Sequence, residues 1–177
     1  ASQALLAKGI DLTVIDNDPD RIRDADRYGF KVFFGDGARL DVLRHSGAGG
    51  ADAIMICIDD PKAAMQIVEL AQHEFPQARL LVRSYDREHA VDLIRAGVAY
   101  QIRETVESAY LMGAEGLRAL GFADVDIEEA AEDIRRRDAE RLAEQVQGDA
   151  MSGRDRLLLQ PLPETQTGTS GQSSRQS

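Results

Sequence analysis

The segment Leu12-Thr13-Val14-Ile15-Asp16-Asn17-Asp18-Pro19 joins four apolar or β-branched residues to acids, an asparagine and a proline. That order describes a buried strand running into a turn. Pro19 and the acids beside it suit the first turn of a helix through about Tyr28, with Gly29 as its stop. The alternation continues downstream. Lys31 to Phe34 reads as a strand ended by Gly35-Asp36-Gly37, and a helix from about Arg39 breaks at Gly47-Ala48-Gly49-Gly50. Ala53 to Ile58 is an unbroken apolar run and predicts a central strand covered on both faces. Asp59-Asp60-Pro61 then opens a helix through His73, Arg79 to Arg83 forms a strand, Asp86 to Ala96 a helix, and Ala99 to Ile102 a last short strand. Strand and helix in this repeated order predict an α/β fold, a Rossmann-like open parallel sheet with helices on both faces.

From Thr105 the pattern changes. Thr105 to Leu120 predicts a helix interrupted by Gly113 and Gly116 and stopped by Gly121. Asp124 to Gln147 predicts a charged helix with an apolar stripe at Val125, Ile127, Ala131, Ile134, Leu142 and Val146. Residues 165–177 contain only Ser, Thr, Gln and Gly apart from Arg175, a composition that cannot bury a core. The organisation expected is a nucleotide-binding unit over 1–104, crossover and dimerisation helices over 105–147, and a disordered tail over 148–177.

The 177 residues are 43% hydrophobic and 29% charged, a globular balance sized for one domain. A net charge of -10 argues against a nucleic-acid partner. A single cysteine, Cys57, excludes an internal disulfide and a cysteine-based zinc cage, and the three histidines show no metal-ligand spacing.

Asp16 ends a strand and opens a loop, where a dinucleotide-binding sheet places an acid that accepts hydrogen bonds from the adenosine ribose. Such an acid lies roughly 20 residues after the glycine-rich phosphate loop, which here would fall before Ala1. The first strand and its glycine turn are therefore expected to be missing, with Ala1 to Ala7 as the tail of the first helix and the chain as a fragment. The alternative is that Asp16 only caps the helix beginning near Pro19. Asp36 has the same two readings, a contact on the adenine side or a residue that fixes the Gly35-Asp36-Gly37 turn.

Val32-Phe33-Phe34-Gly35-Asp36-Gly37-Ala38-Arg39-Leu40-Asp41-Val42-Leu43, with Ile58-Asp59-Asp60-Pro61, Phe75-Pro76 and Arg103-Glu104-Thr105, carries a more specific signal. These segments resemble the cytosolic RCK or KTN (TrkA-N type) nucleotide-binding domain of Kef-type glutathione-gated potassium/proton antiporters, from Ala1 to about Val146. The resemblance implies a cytoplasmic domain of an inner-membrane protein. It would follow a membrane antiporter domain, form a homodimer, associate with an ancillary oxidoreductase subunit and gate ion flux. It would bind an adenine nucleotide (NAD(H), AMP or ATP) in the sheet crevice. Carried over position by position, Asp16 and Asn17 would meet the ribose, Asp36 and Gly37 would form the family's Gly-Asp-Ala turn with Gly37 in place of the alanine, and Ile58 would line the adenine pocket. Glutathione would be held by positions matching Gln3, Arg103 and Asp138. Gln3 stands where the family has an arginine, which removes one partner for a carboxylate.

Read from the residues alone, Asp138 is an acid inside the apolar stripe, paired with Arg135 or Arg141 across a helical turn, and Arg103 pairs with Glu107. Two other functions fit the same sheet: a soluble TrkA-like regulator of potassium uptake, and an NAD-dependent oxidoreductase. An enzyme would need an acid-base residue over the nicotinamide. The nearest candidates are Tyr85 and His89, and His89 beside Glu88 reads as a surface residue, so no catalytic residue is assigned.

Overall fold

The computed structural model describes residues 2–148, and the expected tail lies outside them except for Gly148. A short helix α1 (Ser2–Leu6) precedes β1 (Thr13–Asp16), α2 (Pro19–Arg27), β2 (Lys31–Phe34), α3 (Leu40–Ser46), β3 (Ala53–Ile56), α4 (Pro61–Glu74), β4 (Arg79–Ser84), α5 (Arg87–Arg95), β5 (Tyr100–Arg103), α6 (Glu104–Ala119) and α7 (Asp124–Gln147). All strand pairs are parallel. The strands form two groups, β1–β2 and β3–β4–β5, with no ladder between β1 and β3 among the described residues. Ile15 of β1 and Ile54 of β3 each pack against the buried core from the partly exposed side.

Local chemistry accounts for the helices. Asp60 caps α4, accepting from the N–H groups of Lys62 at 2.8 Å and Ala63 at 3.2 Å, with Pro61 in the first helical position. Ala64, Ile67, Val68 and Ala71 then recur at helical spacing and are all buried. Asp86 caps α5 through the His89 N–H at 2.8 Å, and Ala90 and Leu93 below it are fully buried. The core is built on α4, α5, β3 and β4. Among the described residues, none before Leu43 is buried.

Three expectations need correction. β3 ends at Ile56 rather than Ile58 and is not covered on both faces: Met55 is 41% exposed on the same face as exposed Ala53, while Ile54 and Ile56 point to the covered face, and Ile58 beyond the strand is 37% exposed. Gly113 and Gly116 do not interrupt α6, which runs unbroken from Glu104 to Ala119; each glycine weakens a helix by only about 1 kcal/mol. His89 is not a surface residue but is 4% exposed, at the base of the α5 first turn.

α7 lies against α5 and α6. Its stripe is only partly used: Ile127 is buried, whereas Val125 and Ile134 stay exposed, as do Leu111, Met112 and Leu120 of the α6 region. Its C-terminal carbonyls are held by Arg95 of α5, which donates to Gln145 O at 2.8 Å and Gly148 O at 2.7 Å. No described helix is long and apolar enough to cross a membrane.

Candidate functional site

Asp16 and Asp36 leave the carboxyl ends of neighbouring parallel strands. Asp16 is paired with Phe34 in the ladder, and its carbonyl accepts from the Gly35 N–H at 2.9 Å. The side chain of Asp16 does not cap α2. That role belongs to Asp18, which accepts from the N–H groups of Asp20 and Arg21. Asp16 Oδ1 accepts from the Asp18 N–H at 2.9 Å, which fixes the carboxylate, and Oδ2 lies 3.9 Å from Arg21. One oxygen is thus spent on the turn while the other faces a mostly exposed cation. Asn17 is exposed.

Asp36 Oδ1 accepts from the Ala38 N–H at 2.9 Å, so it does hold the glycine turn. Gly35 is closely packed: a Cβ would lie 3.0 Å from Val42 Cγ1, so a side chain there would need Val42 to give by a few tenths of an ångström. Gly37 has room, since a Cβ would meet only Ile67 at an ordinary 3.7 Å. The family's alanine would fit at this position.

Ile58 follows β3, in the other strand group. It lines a cavity of about 310 Å³ at the carboxyl ends of β3, β4 and β5, with Asp59, Arg83, Ser84, Tyr85, Glu104 and Thr105. Arg83 spans this mouth, donating to Cys57 O at 2.8 Å, Asp59 Oδ1 at 2.5 Å and Glu104 Oε2 at 2.5 Å. Sequence reasoning passed over Arg83; a cation after the apolar run Leu80 to Val82 was the available signal.

Arg103 and Asp138 come together, but as partners of each other. Asp138 is 9% exposed and accepts from Arg103, from Arg87 Nη1 at 2.6 Å and from Arg141 at 3.5 Å. Arg87 also donates to Gln145 Oε1 at 2.5 Å. Burial pushes the Asp138 carboxyl up, yet the hydrogen bonds from Arg103 and Arg87 outweigh it and hold the group below the ordinary aspartate value. Of the two helical partners expected, Arg141 is present, while Arg135 lies over the Tyr110 ring at 5.2 Å. Arg103 does not pair with Glu107. Arg87 was missed, and nothing local marks it, for its partner is 51 residues away. Three arginines around one carboxylate leave surplus positive charge, and the buried Arg141 Nε has no hydrogen-bond partner among the described residues. Gln3, exposed on α1, makes no side-chain hydrogen bond to either Arg103 or Asp138.

Among the described residues no three His, Cys, Asp or Glu side chains gather as a metal ion would require.

Comparison with known proteins sets this geometry in context. A model of the TrkA-N domain matches residues 1–104. The glutathione-regulated potassium-efflux system protein KefC of Cronobacter sakazakii is 38% identical over 149 residues, 84% of this chain and 24% of the relative. A glutathione-regulated potassium-efflux system protein of Haemophilus influenzae is 40% identical over 144 residues, 81% of this chain and 23% of the relative. Among solved structures, the Kef CTD of Shewanella denitrificans in AMP-bound form is 37% identical with a TM-score of 0.77, covering 82% of this chain and 89% of that one. The TrkA-N domain of the inner membrane protein ybaL from Escherichia coli, 21% identical with a TM-score of 0.58 over 63% of this chain and 82% of that one, shares the fold. The chain thus spans about a quarter of the length of the curated relatives it matches.

Proposed function

The chain belongs to the TrkA-N domain family, and on that premise we propose that it is the nucleotide-binding regulatory domain of a Kef-type potassium efflux system, attached to a membrane antiporter domain on its N-terminal side. One observation carries the reading: the adjacent parallel strands β1 and β2 run directly into the turns that hold Asp16 and Asp36, in a chain 37% identical to a Kef domain in AMP-bound form. The proposed ligand is an adenine nucleotide, AMP, ATP or NAD(H). Asp16 Oδ2 and Asn17 meet the ribose hydroxyls, Asp36 and Gly37 shape the adenine side, and Ile58 supplies apolar contact. The role is ligand sensing rather than catalysis, and it places the domain on the cytoplasmic side of an inner membrane.

The exposed Leu111, Met112, Leu120, Phe122 and Val125 support a homodimer through α6 and α7. Light scattering of the chain at micromolar concentration should give twice its 19.4 kDa mass; the mass of one chain contradicts this.

Glutathione is proposed as a second, weaker ligand against Arg103. Its carboxylate would compete with Asp138, and Gln3 offers only a neutral amide, a loss on the order of 1 kcal/mol. The experiment is calorimetry on the full-length protein with AMP and then glutathione. AMP should bind; Gln3→Arg should tighten glutathione about fivefold, and Arg103→Ala should abolish it. Absence of AMP binding defeats the nucleotide reading. Glutathione affinity indifferent to both substitutions defeats the second site.

A further inference from the structure

His89 takes no part in the chemistry above, yet it sits at a junction. Its Nδ1 accepts a hydrogen bond from the Tyr85 N–H at 3.1 Å, which assigns the neutral ring's proton to Nε2. Nε2 is buried and has no hydrogen-bond partner among the described residues. The His89 N–H donates in turn to Asp86 Oδ1. Ring and backbone of one residue therefore close the turn from β4 into α5.

What lies on either side of that turn gives it meaning. Upstream, Arg83, Ser84 and Tyr85 line the cavity at the strand ends. Downstream, Arg87 reaches Asp138 and Gln145 of α7. A second cavity of about 480 Å³ is lined by His89 together with Lys62 and Gln66 of α4 and with Asp86, Glu88 and Asp92. It gives solvent a route toward the ring.

We infer that His89 is a proton-binding site that couples the crevice at the strand ends to the packing of α7. A proton from solvent adds to the Nδ1 lone pair. The acceptor of the Tyr85 N–H becomes a donor, two N–H groups face one another, and the hydrogen bond closing the turn is lost. Tyr85 and Arg87, the residues that flank the turn, are released together. The groups that bear on the ring oppose one another. Burial disfavours the cation most strongly, Asp86 and Asp92 favour it, and Lys62 and Glu88, of opposite charge, line the same cavity. The balance leaves the ring neutral near pH 7, with its titration below the ordinary imidazole range, so the site loads on acidification. On the function proposed above, acid brought inward by a potassium/proton exchanger would be felt in its regulatory domain; the proton site itself does not depend on that reading.

The test is hydrogen exchange on the full-length protein at about pH 7.5 and about pH 5.5, corrected for the intrinsic pH dependence of exchange, with AMP affinity measured at both values. The comparison variants are His89→Asn, whose side-chain oxygen can still accept from Tyr85 but cannot titrate, and His89→Gln. Protection of the peptide spanning residues 84–89 should fall about tenfold in the parent at the lower pH and less than about twofold in either variant, with AMP affinity following the parent's loss. Equal protection at both pH values in the parent, or an equal loss in the variants, overturns the proposal. If AMP fails to bind near pH 7.5, the nucleotide reading falls while the exchange result still decides the role of His89.

Discussion

Replacing Asp138 by alanine is expected to lower folding stability by about 3 kcal/mol and the melting temperature by about 10 °C. The carboxylate is nearly buried, and its removal takes from Arg103, Arg87 and Arg141 the counter-charge they share. The estimate sits at the lower end for a broken buried pair because the Arg87 side chain keeps 26% exposure, through which water can relieve it. Asp138→Asn should lie between parent and alanine variant, keeping an acceptor but not the charge. Urea unfolding decides the matter: a loss below about 0.5 kcal/mol would reduce the cluster to an ordinary surface ion pair. The pH dependence follows from the depressed titration of Asp138. Its contribution is fully present above the unfolded value of 3.8 and is lost as pH falls through the lower folded value. The alanine variant should lack that acid-sensitive part of its stability.

Asp16→Ala is expected to weaken adenine-nucleotide binding by about tenfold to a hundredfold, the range for a lost hydrogen bond to a charged group. Folded stability should change by less than about 1 kcal/mol, since Asp18 rather than Asp16 caps α2. In the parent, a carboxylate against the ribose should reject the 2′-phosphate of NADP, so NAD is expected to bind the tighter of the two. Calorimetry with both dinucleotides is the check. Equal affinity for NAD and NADP would remove Asp16 from the ribose, and unfolding of Asp16→Ala would make it structural.

The elements were legible in the sequence where one short segment holds both cause and effect. Asp60-Pro61 announces α4 because the cap and its N–H groups are two and three residues apart, and Asp16 and Asp36 stand out because they end apolar runs. Relations that fold distant segments together were not legible. The burial of His89 depends on the turn from β4, and its neighbour Glu88 suggested the opposite. The pairing of Arg103 with Asp138 spans 35 residues, and a nearer acid, Glu107, offered a competing partner at helical spacing. The division of the strands followed from no residue in the run Ala53 to Ile58; it reflects what lies beside β3, which the run itself does not encode. For the crevice, resemblance supplied roles that spacing alone left divided between ligand and turn.

The absence of any buried residue before Leu43 bears on cooperativity. The β1–β2 unit, which carries both crevice carboxylates, should open and close with a smaller free energy than the body built on α4, α5, β3 and β4, and its amides should exchange first. A ligand touching Asp16 on one unit and Ile58 on the other would draw the weaker unit into the cooperative transition of the stronger. Saturation would then raise the protection of residues 13–34 far more than that of residues 61–95, so that occupancy of the crevice is written as a change in which part of the chain unfolds with which.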